Sequence, residues 1–220
     1  MEQVWAWRAA LRFDAAIRCR DRDDWLRHRR IGSSDVAKLS GPEESRRDWS
    51  VWARLTGRLQ SRSTSDTRRG HAFEPDVLRL YGEQTGYRVV VPTRDTLYLG
   101  PEDWGTSTPD GFADDGDEWG LVEAKTDRLA SSKWGEPGII ERWSRGASAR
   151  VRPDYALQVY HQMWALDAPW CDLAVLTPFY ELLVYRLMRD LVVEAKMVRH
   201  LQAWWTRHIV GGLEIGRAHV

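Results

Sequence analysis

The sequence predicts an α/β fold with a mixed central β-sheet flanked by helices. Three observations carry the prediction. Apolar residues recur at helical spacing in blocks that surround a run of short alternating segments. Two of those segments flank an Asp- and Gly-rich turn within Thr106 to Thr126, reading TSTPDGFADDGDEWGLVEAKT, the mark of a hairpin. The order of the blocks is helices, then a meander, a helix, two strands and a helix, which suits one layered α/β unit.

The N-terminal block, Val4 to Arg30, reads as a helix rich in Ala, Arg, Trp and Leu that ends in Arg27-His28-Arg29-Arg30. Ile31-Gly32-Ser33-Ser34-Asp35-Val36 turns into a new helix with Ser33 or Ser34 as N-cap. Hydroxyls at a helix start preceded by arginines could bind an anion, although an ordinary capped helix looks the same locally. Asp48 to Gly57 fits a helix closed by glycine, and the polar stretch Gln60 to Thr67 reads as a loop. Arg68 to Gly86 is a long helix with Phe73, Val77, Leu78 and Tyr81 at core spacing. Glu74 interrupts that apolar pattern just before Pro75, where it is either a surface acid or within reach of a metal centre.

Tyr87 to Val91 and Thr96 to Leu99 read as strands that join those around Phe112 and Leu121 in a meander. Ser131 to Arg152 is irregular and long for a passive connection, so it is expected to face a substrate. Asp154 to Leu166 is an amphipathic helix on which Gln158 and Gln162, four apart, share a face. Asp172 to Thr177 and Leu182 to Leu187 are strands, and Arg189 to Ile209 closes the chain as a helix. The tail Ile215-Gly216-Arg217-Ala218-His219-Val220 back-translates to a common sequencing adapter, so residues 214–220 are expected to be non-native.

Composition narrows the function. The 220 residues are 43% hydrophobic and 29% charged, ordinary for a globular domain with a sizeable core. Two cysteines, Cys19 and Cys171, supply neither a disulfide framework nor a cysteine-rich metal site, and fit a reducing cytoplasm. The first residues lack the apolar core expected of a signal peptide, and no apolar run of membrane length occurs in the sequence. Net charge is zero, but its distribution is uneven: residues 1–70 carry 16 basic and 10 acidic side chains, and residues 71–130 carry 5 and 13. A basic arm beside an acidic centre suits phosphate grip in one place and cation binding in another. Plain charge pairing within the chain would give the same balance. Thirteen Trp are many, and some are expected at a gripping surface.

The chemistry concentrates in the hairpin. If its strands pair, Asp110 and Glu123 meet across the ladder, where two carboxylates repel unless a cation lies between them. Lys125 projects to the same face as Glu123. Two hard oxygen ligands with open water positions suit Mg²⁺, and a lysine beside them suits a phosphate or an attacking water. The bland alternative is a solvated Asp-Gly turn. A second acidic-x-Lys, Glu194-Ala195-Lys196, lies in a helical run where positions i and i+2 do not face each other, and serves as an internal control. The chain has 28 Arg and 4 Lys, which makes a strand lysine notable. A calcium loop is excluded, since Phe112 and Asp115 stand where that loop needs a ligand and a glycine.

In this order the pieces resemble the YqaJ-like viral recombinases, relatives of phage lambda exonuclease among the PD-(D/E)xK nucleases. The matching pieces are Arg30 to Asp35, Leu55 to Arg58, Arg69 to Pro75, Ser107 to Gly111, Leu121 to Thr126, and Gln158 to Met163, with Trp204 to Gly212 similar to the family's closing helix. The resemblance implies a restriction-endonuclease-like core in a single nuclease domain over 1–213, with 1–24 as an N-terminal helical extension. It implies Mg²⁺, with Mn²⁺ as the alternative, on Asp110, Glu123 and the Ala124 carbonyl, with Glu74 at a second metal or its water. Lys125 would act on the attacking water, Gln158 would orient the site, and Arg30 with Ser34 would bind a 5′-phosphate on DNA. The expected activity is 5′→3′ exonuclease action on double-stranded DNA in phage or prophage recombination, in the bacterial cytoplasm. A single-strand annealing protein is the expected partner, and a homo-oligomeric ring the expected assembly. An endonuclease on the same core and a non-catalytic DNA-binding protein are the competing readings. Glu43 to Arg47 and residues 131–152 depart from the family pattern.

Overall fold

The computed structural model describes residues 15–40, 46–60, 64–93, 95–127 and 134–216. The chain enters as a strand, β1 (Ala16–Arg18), where a helix is expected. Ile17 packs inward against Cys19, Trp25 and Leu97, and β1 pairs antiparallel with residues 96–98. That tertiary partner outweighs the helical propensity of an Ala- and Arg-rich segment. The helical extension expected over 1–24 therefore gives way to a strand at its described end, and residues 1–14 lie outside the described part. A short helix follows, α1 (Arg22–His28), capped by Asp21, whose carboxylate accepts from the Asp24 N–H.

Next come β2 (Ile31–Gly32), a 3₁₀ turn at Ser33–Asp35, and α2 (Val36–Leu39). Helix α3 (Arg46–Leu55) and helix α4 (Ser65–Thr85) complete the N-terminal half. Helix α4 begins inside the stretch expected as loop and ends at Gly86, whose φ of +74° suits a residue without a Cβ. Its Val77, Leu78 and Tyr81 are buried as their spacing predicts.

The strands β3 (Arg88–Val90), β4 (Thr96–Leu99), β5 (Gly105–Ser107), β6 (Gly111–Asp114) and β7 (Trp119–Thr126) do not form one meander. They divide between two sheets. β3 joins β6 and β7, whereas β4 turns away to pair with β1 and β5, leaving a small sheet ordered β1-β4-β5-β2. After them come β8 (Gly138–Ile140), α5 (Arg145–Arg150), α6 (Pro153–Leu166), β9 (Trp170–Leu176), β10 (Leu182–Met188) and α7 (Leu191–Trp205). The main sheet runs β3-β6-β7-β9-β10-β8 and is mixed, because β7 pairs parallel with β9 and β8 parallel with β10.

Alternation along β7 sorts its residues to the two faces. Val122 joins Val77, Leu78 and Tyr81 of α4 under one face, while Leu121 joins Val159 and Met163 of α6 and Leu201 of α7 under the other. Residues 134–152 are not a substrate-facing loop: Trp134, Ile140, Ala147 and Val151 are buried in the larger core. Residues 128–133 lie outside the described part. The described tryptophans are likewise buried or half-buried, so they build cores rather than a gripping surface. Of the tail, Glu214 pairs with Arg58 and Ile215 packs on the larger core, while 217–220 lie outside the described residues. No described helix is long and apolar enough to cross a membrane.

One close approach fixes the packing of β7 against β9. A Cβ on Gly120 would fall 2.2 Å from the ring of Trp170, which is fully buried with the Arg186 guanidinium stacked 3.7 Å from its ring centre. Gly120→Ala should therefore lower stability by about 1–3 kcal/mol through overpacking. Urea unfolding should show a lower midpoint with an unchanged slope.

Candidate active site

The register of the hairpin sets the site. Gly111 pairs with Val122, which places Asp110 opposite Glu123 at the next step of the ladder. The turn is held by Asx bonds: Asp114 accepts from Gly116 N–H, and Asp115 accepts from Asp117 and Glu118 N–H. Asp110 Oδ2 accepts from the Ala124 N–H at 2.8 Å, which ties the acid to the strand that carries its counterpart. Glu123 is buried, at 2% exposure, yet both its oxygens have donors. Lys125 Nζ and Gln158 Nε2 donate to Oε1, and Gln162 Nε2 donates to Oε2 at 2.6 Å.

Charge balance in this group is tight. Burial, and then the negative charge of Glu123, pushes the Asp110 carboxyl well above the usual carboxylate range, with Glu74 adding to the shift. Burial disfavours the Lys125 ammonium, but Glu123 and Asp110 outweigh it and raise its pKa. Glu74 lies on α4 beside the same cleft, half-buried, with His71 Nδ1 at 3.4 Å. The control motif behaves as chance predicts: Glu194 is on α7, where it pairs with Arg189.

A cleft of about 1150 Å³ runs from this acidic group to a basic one lined by Arg22, Trp25, Arg29, Ser34 and Lys38. At the basic end Asp35, 1% exposed, is surrounded by three cations. Arg54 Nη2 lies 2.6 Å from Oδ2, Arg29 Nη2 3.2 Å from Oδ2, and Lys38 Nζ 3.4 Å from Oδ1. Arg29 also reaches the exposed Ser34 hydroxyl at 3.4 Å. Arg30 does not join them. Its guanidinium donates to the carbonyls of Arg27, His28 and Arg29 and caps the end of α1. In extended chain, adjacent side chains project to opposite sides, so the cleft receives Arg29 in place of the expected Arg30.

Between the two ends lies His161, fully buried on α6. Its Nδ1 is 3.0 Å from Ser33 Oγ, which is 3.2 Å from Ser107 Oγ. The structure thus brings together Asp110, Glu123, Lys125 and Gln158, sets Glu74 at their edge, and adds Gln162. The spacing of Gln158 and Gln162 was the available signal for that second glutamine. Arg54 had none, because its contact with Asp35 across 19 residues leaves no local pattern.

Residues 24–168 match the YqaJ-like viral recombinase domain. The chain belongs to this family. Among solved structures it is similar to the alkaline exonuclease LHK-Exo from Laribacter hongkongensis, with a TM-score of 0.62 and 20% identity over 84% of this chain and 91% of that one. The same enzyme in complex with dAMP gives a TM-score of 0.63 at 19% identity, with the same coverage. A phage-related exonuclease from Haemophilus somnus 129PT gives 0.57 at 14% identity, over 84% of this chain and 97% of that one. No curated protein matches. At these identities the likenesses establish the nuclease fold. YqaJ-like recombinases are DNA-hydrolysing enzymes, and this chain is one of them.

The donor set fits a hard divalent cation. Among the described residues no three His, Cys, Asp or Glu side chains converge into a closed cage. The hairpin offers instead two opposed carboxylates, with the Ala124 carbonyl on the strand between Glu123 and Lys125. Burial and the Glu123 charge together make a second negative charge on this acid pair costly without a cation, and an open set of hard oxygens suits a divalent ion.

The Asp35 cluster gives a pH-dependent prediction. Burial opposes ionisation of Asp35, but Arg29, Arg54 and Lys38 outweigh it and hold the carboxyl below its usual range. A depressed folded-state pKa contributes stability above the unfolded value of about 4, and that contribution is lost as pH falls through the folded value. Asp35→Asn should cost about 3–5 kcal/mol at neutral pH, the range for stranding buried cations. In chemical denaturation the gap to wild type should stay constant above about pH 5 and narrow below about pH 4.

Proposed function

We propose that the chain is a Mg²⁺-dependent deoxyribonuclease that digests double-stranded DNA from a 5′ end. Mn²⁺ is the alternative ion. One observation carries this reading: Asp110 and Lys125 of the hairpin, with Glu123 buried against that lysine, line the same cleft as a cluster of cations beside an exposed hydroxyl.

Asp110, Glu123 and the Ala124 carbonyl would hold the ion, with Glu74 at its water or at a second ion. The ion would supply Lewis-acid charge at the scissile phosphate. Lys125, kept protonated by its two acidic neighbours, orients the attacking water and offers positive charge to the phosphorane-like transition state. Gln158 and Gln162 keep the Glu123 carboxylate in place from the helix behind it. Arg29 and Ser34 grip a 5′-phosphate, so the cleft measures from a DNA end to the bond that breaks. The neighbours' own description as exonucleases supports end-directed action. The family's description as viral recombinases supports a role in phage or prophage recombination; an annealing protein that takes the exposed strand and a ring of identical subunits are part of the same proposal.

Two measurements test this reading. Linear duplex with 5′-phosphate should be degraded with Mg²⁺ and spared with EDTA, while covalently closed circular duplex survives. Cutting of the circle would replace the exonuclease with an endonuclease, and cutting of neither would leave a DNA-binding protein on a nuclease fold. Asp110→Ala should abolish cleavage, and Lys125→Ala should slow it by about 10²–10³-fold, both with near wild-type DNA binding by fluorescence anisotropy. Wild-type rates in either variant would refute the site.

A further inference from the structure

The two ends of the cleft sit on separate parts of the fold. The basic end rides on α1, β2 and the 3₁₀ turn at Ser33–Asp35, and the acidic end on β6 and β7 of the main sheet. Cleavage at a fixed step from a bound 5′-phosphate requires a set distance between them, since a misplacement of about 1 Å can cost about 10²-fold in rate.

His161 spans the gap from α6, beside the backbone pairing of β2 with β5. On α6 it lies between Gln158, three residues before, and Gln162, one after, and both glutamines hold Glu123. From the same turn its Nδ1 meets Ser33, the immediate neighbour of the Ser34 hydroxyl at the basic end. Ser33 in turn meets Ser107 on β5, three residues before Asp110. The three side chains are buried: His161 at 0%, Ser107 at 1% and Ser33 at 6% exposure. The imidazole packs against Trp164 and Trp104, with ring centres 5.0 and 6.4 Å away, and its Nε2 is buried with no hydrogen-bond partner among the described residues. The bond to Ser33 is thus its one polar contact there. Buried polar groups that are half-satisfied are costly, and a leucine would fill the same space without that cost. Burial also keeps the ring neutral, with its pKa down to about 3, so no protonation interrupts the relay near neutral pH.

We propose that His161 is a positioning residue that, through Ser33 and Ser107, sets the register between the 5′-phosphate grip and the metal-binding carboxylates. This rests on the nuclease reading above. His161 touches neither DNA nor ion; it acts by locking α6, the 3₁₀ turn and β5 together.

The test compares single-turnover cleavage of 5′-phosphorylated and 5′-hydroxyl duplex ends in Mg²⁺. Wild type should prefer the phosphorylated end. His161→Leu, which keeps volume and deletes the hydrogen-bonding nitrogen, should lower that preference by ~10- to 100-fold. His161→Asn, which keeps a polar atom near the Nδ1 position, should retain most of it, and Ser107→Ala should lower it as the leucine does. A merely structural histidine would alter stability and leave the preference alone. Unchanged preference in His161→Leu or Ser107→Ala overturns the inference, and so does an equal fall in the asparagine and leucine variants. If near-UV circular dichroism shows His161→Leu to be unfolded, Ser107→Ala and His161→Asn decide. A wild type that cuts neither end sinks the nuclease reading and this inference with it. A wild type that cuts both ends equally leaves the nuclease standing and removes the inference alone.

Discussion

Two carboxylates held opposite each other across one step of a β-ladder are the constraint on which the rest of this structure depends. Asp110 and Glu123 cannot separate, because the hairpin register fixes their backbones and the Ala124 N–H anchors the first to the second strand. Their repulsion in a buried setting is met by the Lys125 ammonium and by two glutamine donors. Each of these demands something of the fold. Lys125 must lie two residues on in the same strand, which needs regular β-structure through Thr126. The glutamines must come from a helix packed on the same face, which needs α6 with its largely buried surface. The parallel pairing of β7 with β9 gives that strand its rigid backing.

The hairpin could be read from sequence because its signals are local. Alternation, Asx-prone residues and a glycine at φ +101° specify a turn whatever surrounds it, and the register then follows by counting outward. The helices over residues 68–85 and 154–166 were legible for the same reason, from apolar spacing alone. What escaped was set by partners distant in the chain. Ala16 to Arg18 carries no strand signal of its own and becomes a strand because residues 96–98 offer an edge. Thr96 to Leu99 was legible as a strand but not its sheet, since a period of two says nothing about the neighbour. Residues 134–152 looked like a loop for their Gly, Pro and charges, yet a few inward residues, Trp134, Ile140, Ala147 and Val151, suffice to draw them into the core.

The arginine at the cleft shows how fine the limit is. Sequence placed a cation and a hydroxyl together near residues 30–34, and the structure has such a pair. Which of two adjacent arginines supplies the cation depends on where the chain leaves helix for extended backbone, a boundary uncertain by a residue or two from sequence. One step of phase turns Arg30 to the carbonyls ending α1 and Arg29 into the cleft. The counter-ion Asp35 was hidden for another reason. A buried carboxylate shared by three cations leaves a net positive cluster, and only the fold reveals that the excess faces a cleft.

The choice of lysine over arginine now has a physical account that composition only hinted at. With 28 arginines and 4 lysines, lysine is the rarer cation by far. Lys125 must share Glu123 Oε1 with Gln158 and keep one side toward the cleft. A planar guanidinium would claim both carboxylate oxygens in its fork and displace the glutamines, whereas a compact ammonium takes a single lone pair. Lys38 occupies a similar niche, on the Asp35 oxygen that Arg29 and Arg54 leave free. Lys196, by contrast, is exposed on α7, so scarcity alone does not mark a site. What sets Lys125 and Lys38 apart is a carboxylate already engaged by other donors with room left for one more.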